Sequence, residues 1–108
     1  MAIMMYRERA SKSLSAMGNP VRIEIAFLIG MQGRLNAGQI AEHFKISRPA
    51  ISSHLRVLRE AQILIAEKTG KEIYYSLDRK SIEDTLNVIL DMVRKSANQS
   101  CTQRGEKA

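Results

Sequence analysis

Apolar residues recur with a helical period over most of this chain and switch to a strand-like pattern once. From Tyr6 to Met17, the residues Ala10, Leu14 and Met17 fall at helical spacing, and Gly18 breaks the run. Asn19 then reads as an N-cap with Pro20 at the first helical position. They open VRIEIAFLIG, a strongly apolar helix predicted to end near Gly30, with Ile23, Phe27 and Ile29 to Met31 in the core. Gly33 marks a loop, and Asn36 caps a short helix in AGQIAEHF whose Ile40, Ala41 and Phe44 face inward.

Only Lys45 and Ile46 separate that helix from Ser47, a further capping residue, so the next helix, Arg48 to about Ala61, cannot continue the same axis. Pro49 in its first turn is tolerated because the N–H it lacks has no helical partner there. Two helices joined by so tight a turn form a helix-turn-helix. The strand-like pattern follows in ILIAEKTGKEIYYSL, read as a hairpin around Thr69-Gly70. Asp78 or Ser81 then caps a last helix in which Ile82, Leu86, Ile89 and Val93 recur at one face. The predicted fold is mainly α with a small β-hairpin: four helices, the hairpin as a wing, and a final helix. Residues 1–97 read as one winged helix-turn-helix domain, and residues 98–108 as a polar, flexible tail.

Charge changes the picture because of where it sits. The net charge is +6 and the pI about 9.8, which favours an anionic partner without choosing between nucleic acid and a membrane surface. The surplus lies in the middle third, where KISRPAISSHLRVLRE carries Lys45, Arg48, Arg56 and Arg59 against the single acid Glu60. On a helical wheel Ile51, Leu55 and Leu58 share one face, while Pro49, Ser52, Ser53 and Arg56 share the other. A helix enters the major groove only if its outward side chains are short enough to allow approach and polar enough to meet base edges and phosphates. Ser52 and Ser53 satisfy the first demand, Arg48 and Arg56 the second. Arg48 is the candidate for a bidentate contact to guanine, and Lys45, Ser47 and Arg59 are placed for phosphates. In the wing, Lys68 and Lys71 flank Thr69 and Gly70 and reach the adjacent groove or backbone.

Other chemistries are poorly served. The two histidines and the one cysteine, Cys101, assemble no zinc spacing and no internal disulfide. No apolar run is long enough for a membrane span, and the start lacks a signal-peptide pattern, so a cytoplasmic location is expected. Ser52, Ser53 and His54 are consecutive on a helix rather than set in a nucleophile elbow, and no Gly-rich phosphate loop occurs, so neither a catalytic residue nor a cofactor is assigned.

GNPVRIEIAFLI, AGQIAEHFKISRPAISSHLRVLREAQIL and GKEIYYSLD resemble, in order and spacing, the ArsR-type winged-helix transcriptional repressors, and the continuation SLDRKSIEDTLNVILDMV is most similar to the SdpR-like autorepressor subgroup. The resemblance implies a homodimer that blocks transcription by occupying a double-stranded DNA operator, with DNA contacts at Arg48, Pro49, Ser52 and Ser53 and a structural role for His54. It also implies dimerisation through the first and last helices. That agrees with apolar positions in excess of what a small core needs: Met4, Met5, Leu14, Ile82, Leu86, Ile89 and Val93. The sequence departs from the metal sensors of that family, because the helix from Ala37 lacks their cysteine pair and the last helix has Asp91 but no histidine. Three alternatives stay open: repression relieved by an organic ligand, a redox switch at Cys101, and, more remotely, a winged-helix module for protein or RNA.

Overall fold

A computed structural model describes residues 2–96, with side chains from residue 7 onward. Within that range the elements are α1 (Ala2–Ala16), α2 (Pro20–Gln32), β1 (Leu35–Asn36), α3 (Ala37–Ala41), α4 (Arg48–Glu60), β2 (Leu64–Thr69), β3 (Glu72–Leu77) and α5 (Arg79–Arg94). The winged arrangement is the expected one, with a strand added. Met4 and Met5 lie on α1, but their side chains, like Cys101 and the segment 98–108, fall outside the described residues.

α1 begins earlier than Tyr6, and what it turns inward is small: Ala10, Ser13 and Ala16 are buried while Leu14 is exposed. The Ser13 hydroxyl donates to the Ala61 carbonyl at 3.0 Å, which satisfies a buried polar group and ties α1 to the end of α4. α1 also lies along α5, whose buried positions are likewise small and polar, Ser81 and Thr85. Further along α5, Leu86, Leu90 and Val93 are exposed.

α2 starts where the capping pattern placed it, with the Asn19 side chain accepting from the N–H groups of Val21 and Arg22. Its core face differs from the expected one. Ile25, Ala26 and Ile29 are buried, whereas Ile23, Phe27 and Met31 are 46%, 67% and 71% exposed. Those three repeat at i, i+4 and i+8 on the opposite side of the helix, a stripe left exposed among the described residues. Nor does the helix stop at Gly30. It runs to Gln32 and is ended by Gly33, whose positive φ of 99° suits glycine and whose N–H donates to the Ile29 carbonyl. Gly30 serves a close approach instead, since a Cβ there would sit 2.9 Å from Leu77 Cδ1.

Leu35 and Asn36 form a strand that the sequence pattern did not show, paired antiparallel with Tyr75 and Tyr74 to give a sheet ordered β1-β3-β2. α3 is also shorter than AGQIAEHF suggests. After Ala41 the N–H groups of His43 and Phe44 bond three residues back, to Ile40 and Ala41, so a tighter turn replaces the last helical turn. Residues 42–47 thus connect α3 to α4, rather than Lys45 and Ile46 alone. The hairpin turn shifts by one residue: Thr69 pairs with Glu72, leaving Gly70 and Lys71 as the two turn residues, with Gly70 at φ +66°. Ile25, Ile29, Ile40, Ile51, Leu55 and Leu58 form the centre of the core.

Candidate nucleic-acid interface

α4 is built to hide one side and show the other. Ser47 has the extended backbone of an N-cap and its hydroxyl accepts from the Ala50 N–H at 3.2 Å. Ile51, Leu55 and Leu58 are essentially inaccessible, at 0 to 1% exposure. Arg48, Pro49, Ser52, Ser53 and Arg56 are all exposed, together with Lys45 and Ser47 just before them. The C-terminus is closed by Ile63 N–H to the Leu58 carbonyl and Gln62 N–H to the Arg59 carbonyl, a Schellman motif with Gln62 at φ +64° in the place glycine usually takes. That motif directs the chain from α4 straight into β2.

α3 braces α4 and is itself tied to the wing. Asn36 and Gln39 cap each other reciprocally, at 2.8 and 2.9 Å, while Asn36 also belongs to β1 and pairs with Tyr74. The Arg48 guanidinium lies back along the first turn of α3, where a Cβ on Gly38 would come within 3.8 Å of it. Arg48 is nonetheless exposed, so its side chain is open to an outside partner. His54 is half-buried, its Nδ1 3.5 Å from Nη1 of Arg22, whose Nε donates to the Ala16 carbonyl at 2.6 Å. It thus helps join α4 to α1 and α2. His43 lies on the surface, with Nδ1 3.1 Å from the Gln39 carbonyl oxygen.

In the wing, side chains alternate between the two faces of the sheet. Lys68 pairs with Ile73 on the face that continues from Leu64 and Leu77, and Lys71 occupies the turn itself. Thr69, Glu67, Glu72 and Tyr74 share the other face. Its cation is Arg34, which the sequence reading did not single out. The Arg34 guanidinium lies 4.2 Å over the Tyr74 ring, and its Nη2 donates to Thr69 Oγ1 at 3.0 Å. Nothing local in the sequence announces this contact, because it depends on the long-range pairing of β1 with β3.

Of the positions expected to meet a second copy, Leu14, Leu86 and Val93 are exposed, Ile89 is half-buried, and Ile82 is half-buried against the chain's own core. Leu90 extends the exposed stripe of α5, and Met92, in helical register with Ser81 and Thr85, is exposed on a different face. Among the described residues no group of three His, Cys, Asp or Glu side chains is placed to hold a metal ion, and no helix is long and apolar enough to cross a membrane.

A helix with a bare, cationic, small-residue face, braced by a second helix and flanked by a hairpin, defines a winged helix-turn-helix protein of the DNA-binding class. The pattern of bacterial regulatory proteins of the arsR family matches residues 19–66. The transcriptional repressor SdpR of Bacillus subtilis (strain 168) is 40% identical over 83 residues, 77% of this chain and 91% of that protein. The arsenical resistance operon repressor of Staphylococcus xylosus is 31% identical over 105 residues, 97% of each. An ArsR-like transcriptional regulator from Rhodococcus sp. RHA1 shares the fold, with a TM-score of 0.74, 23% identity, and coverage of 94% of this chain and 92% of that one. The chain belongs to the ArsR family of bacterial regulators.

Proposed function

We propose that this chain is a cytoplasmic transcriptional repressor that occupies a pseudo-palindromic operator as a homodimer and acts by occupancy rather than by catalysis. The observation that carries the reading is the division of α4, with Ile51, Leu55 and Leu58 sealed in the core and Arg48, Pro49, Ser52, Ser53 and Arg56 left bare. Arg48 is assigned to a base edge, Ser52 and Ser53 to close approach, and Lys45, Ser47, Arg56, Lys68, Thr69, Gly70 and Lys71 to phosphates and the neighbouring groove. The outward stripe of α5, with Leu14, supports a second copy as partner. A two-fold pair would set its recognition helices about 34 Å apart, one turn of the duplex. Metal-controlled release is not part of the proposal, because the chain's one cysteine is Cys101 and α3 carries none.

The test is a mobility shift on genomic fragments recovered with the purified protein. A sequence-dependent complex of one dimer per palindrome, weakening steeply with salt, is expected. Equal affinity for scrambled duplexes would refute the reading. A second reading, repression relieved by a small organic ligand, is favoured by an open cleft of about 470 Å³ between α2, β3 and α5, lined by Ile29, Gly30, Gly33, Ser76, Leu77 and Arg79. Thermal-shift screening of metabolites, with peroxide as the redox arm, separates it from constitutive repression.

A further inference from the structure

We propose that Arg34 is a positioning residue of the interface, a strap that holds the wing so that Lys71 meets DNA; this rests on the DNA-binding reading above. β1 contributes only Leu35 and Asn36 to the sheet, and its pairing stops at Tyr74. Beyond that point Lys68, Thr69, Glu72 and Ile73 pair only across the hairpin. A two-stranded ribbon on its own is marginal in water, so its tip needs a hold from the body of the protein.

Arg34 supplies one. The turn at Gly33 delivers it to the head of β1, on the outer edge of the sheet. From there its side chain crosses the middle strand, resting on the Tyr74 ring at 4.2 Å, and donates to Thr69 at the far end of β2 at 3.0 Å. One side chain therefore spans all three strands and ends next to the Gly70-Lys71 turn. A planar guanidinium can lie on a ring and donate from its edge at once, which an ammonium does not reproduce. The same contacts occupy the group and account for its placement without a phosphate.

The test uses the full chain with Arg34→Ala, Tyr74→Phe, Lys71→Ala and the double variant Arg34→Ala/Lys71→Ala. In the free protein, amide exchange of residues 67–73 should quicken by at least about two- to fivefold in Arg34→Ala, the share of an exposed cation–π contact before the hydrogen bond to Thr69 is counted, and stay near wild type in Tyr74→Phe. In DNA titrations Arg34→Ala should weaken binding by a similar factor, and that loss should largely disappear when Lys71 is already alanine. Unchanged amide exchange in Arg34→Ala, or an equal loss of affinity with and without Lys71, would overturn the strap; equal loss would make Arg34 an independent DNA contact. The exchange measurement needs no DNA, so failure of the strap is read apart from failure of the DNA-binding reading, which appears as wild-type protein without a sequence-dependent complex.

Discussion

Replacing Lys71 with alanine removes an exposed cation from the turn of the wing, and its effect should be read in the salt dependence of DNA binding. Lys45, Arg56, Lys68 and Lys71 are the exposed cations assigned to phosphates in each protomer. A two-fold dimer using all of them makes about eight phosphate contacts, so log K should fall against log salt with a slope of about −7. Lys71→Ala takes away about two contacts per dimer and leaves a slope of about −5. The penalty for the variant is then largest at low salt and shrinks roughly tenfold between about 50 and 200 mM. Fluorescence anisotropy of a labelled operator duplex, titrated at five or so salt concentrations spanning that range, measures both slopes. A control duplex of scrambled sequence should show the same change in slope, because a phosphate contact carries no base information. Parallel plots for wild type and variant would refute the reasoning, since they mean that the turn of the wing stands off the duplex. A change in slope on the operator alone would instead make Lys71 a reader of sequence.

Arg48→Ala should cost about 1 to 3 kcal/mol on the preferred operator and little on scrambled DNA, measured by competition; an equal loss on both would show that Arg48 meets only the backbone. Leu55 is 1% exposed, and Leu55→Ala should destabilise the protein by about 2 to 5 kcal/mol in urea unfolding at fixed protein concentration; a loss below about 1 kcal/mol would contradict the burial of that face. Leu86→Asp places a carboxylate in the outward stripe of α5 and should yield a folded monomer by light scattering, whereas an intact dimer would remove α5 from the interface. Ser47→Ala should lower stability by about 1 kcal/mol through loss of the cap at the head of α4.

α4 was legible because three independent signals coincide in it: a cap at Ser47, a three-residue apolar face, and short polar side chains opposite. α2 was harder, since VRIEIAFLIGM is apolar around most of its circumference and a helical period alone does not say which stripe is inward. The choice falls to Ile25, Ala26 and Ile29 because α4 and β3 pack on that side. Gly30 read as a helix end because glycine commonly ends helices, yet its reason is Leu77, nearly fifty residues away in the chain. β1 is invisible to local patterning for the same cause: two residues make a strand only when β3 is beside them. Arg34 depends on that pairing in turn, so no inspection of its neighbours in sequence reveals a grip on Thr69. The turn at Gly70-Lys71 differs from the sequence reading by one position, because Thr69, Gly70 and Lys71 are each acceptable near a turn and cross-strand register decides among them.

The thirteen residues of α4 keep two ledgers that do not touch. Ile51, Leu55 and Leu58 answer to folding, and Arg48, Pro49, Ser52, Ser53 and Arg56 answer to whatever lies outside. Selection can therefore rewrite the second set while the first stands still, and a duplicated copy can drift toward a different target without passing through an unstable ancestor.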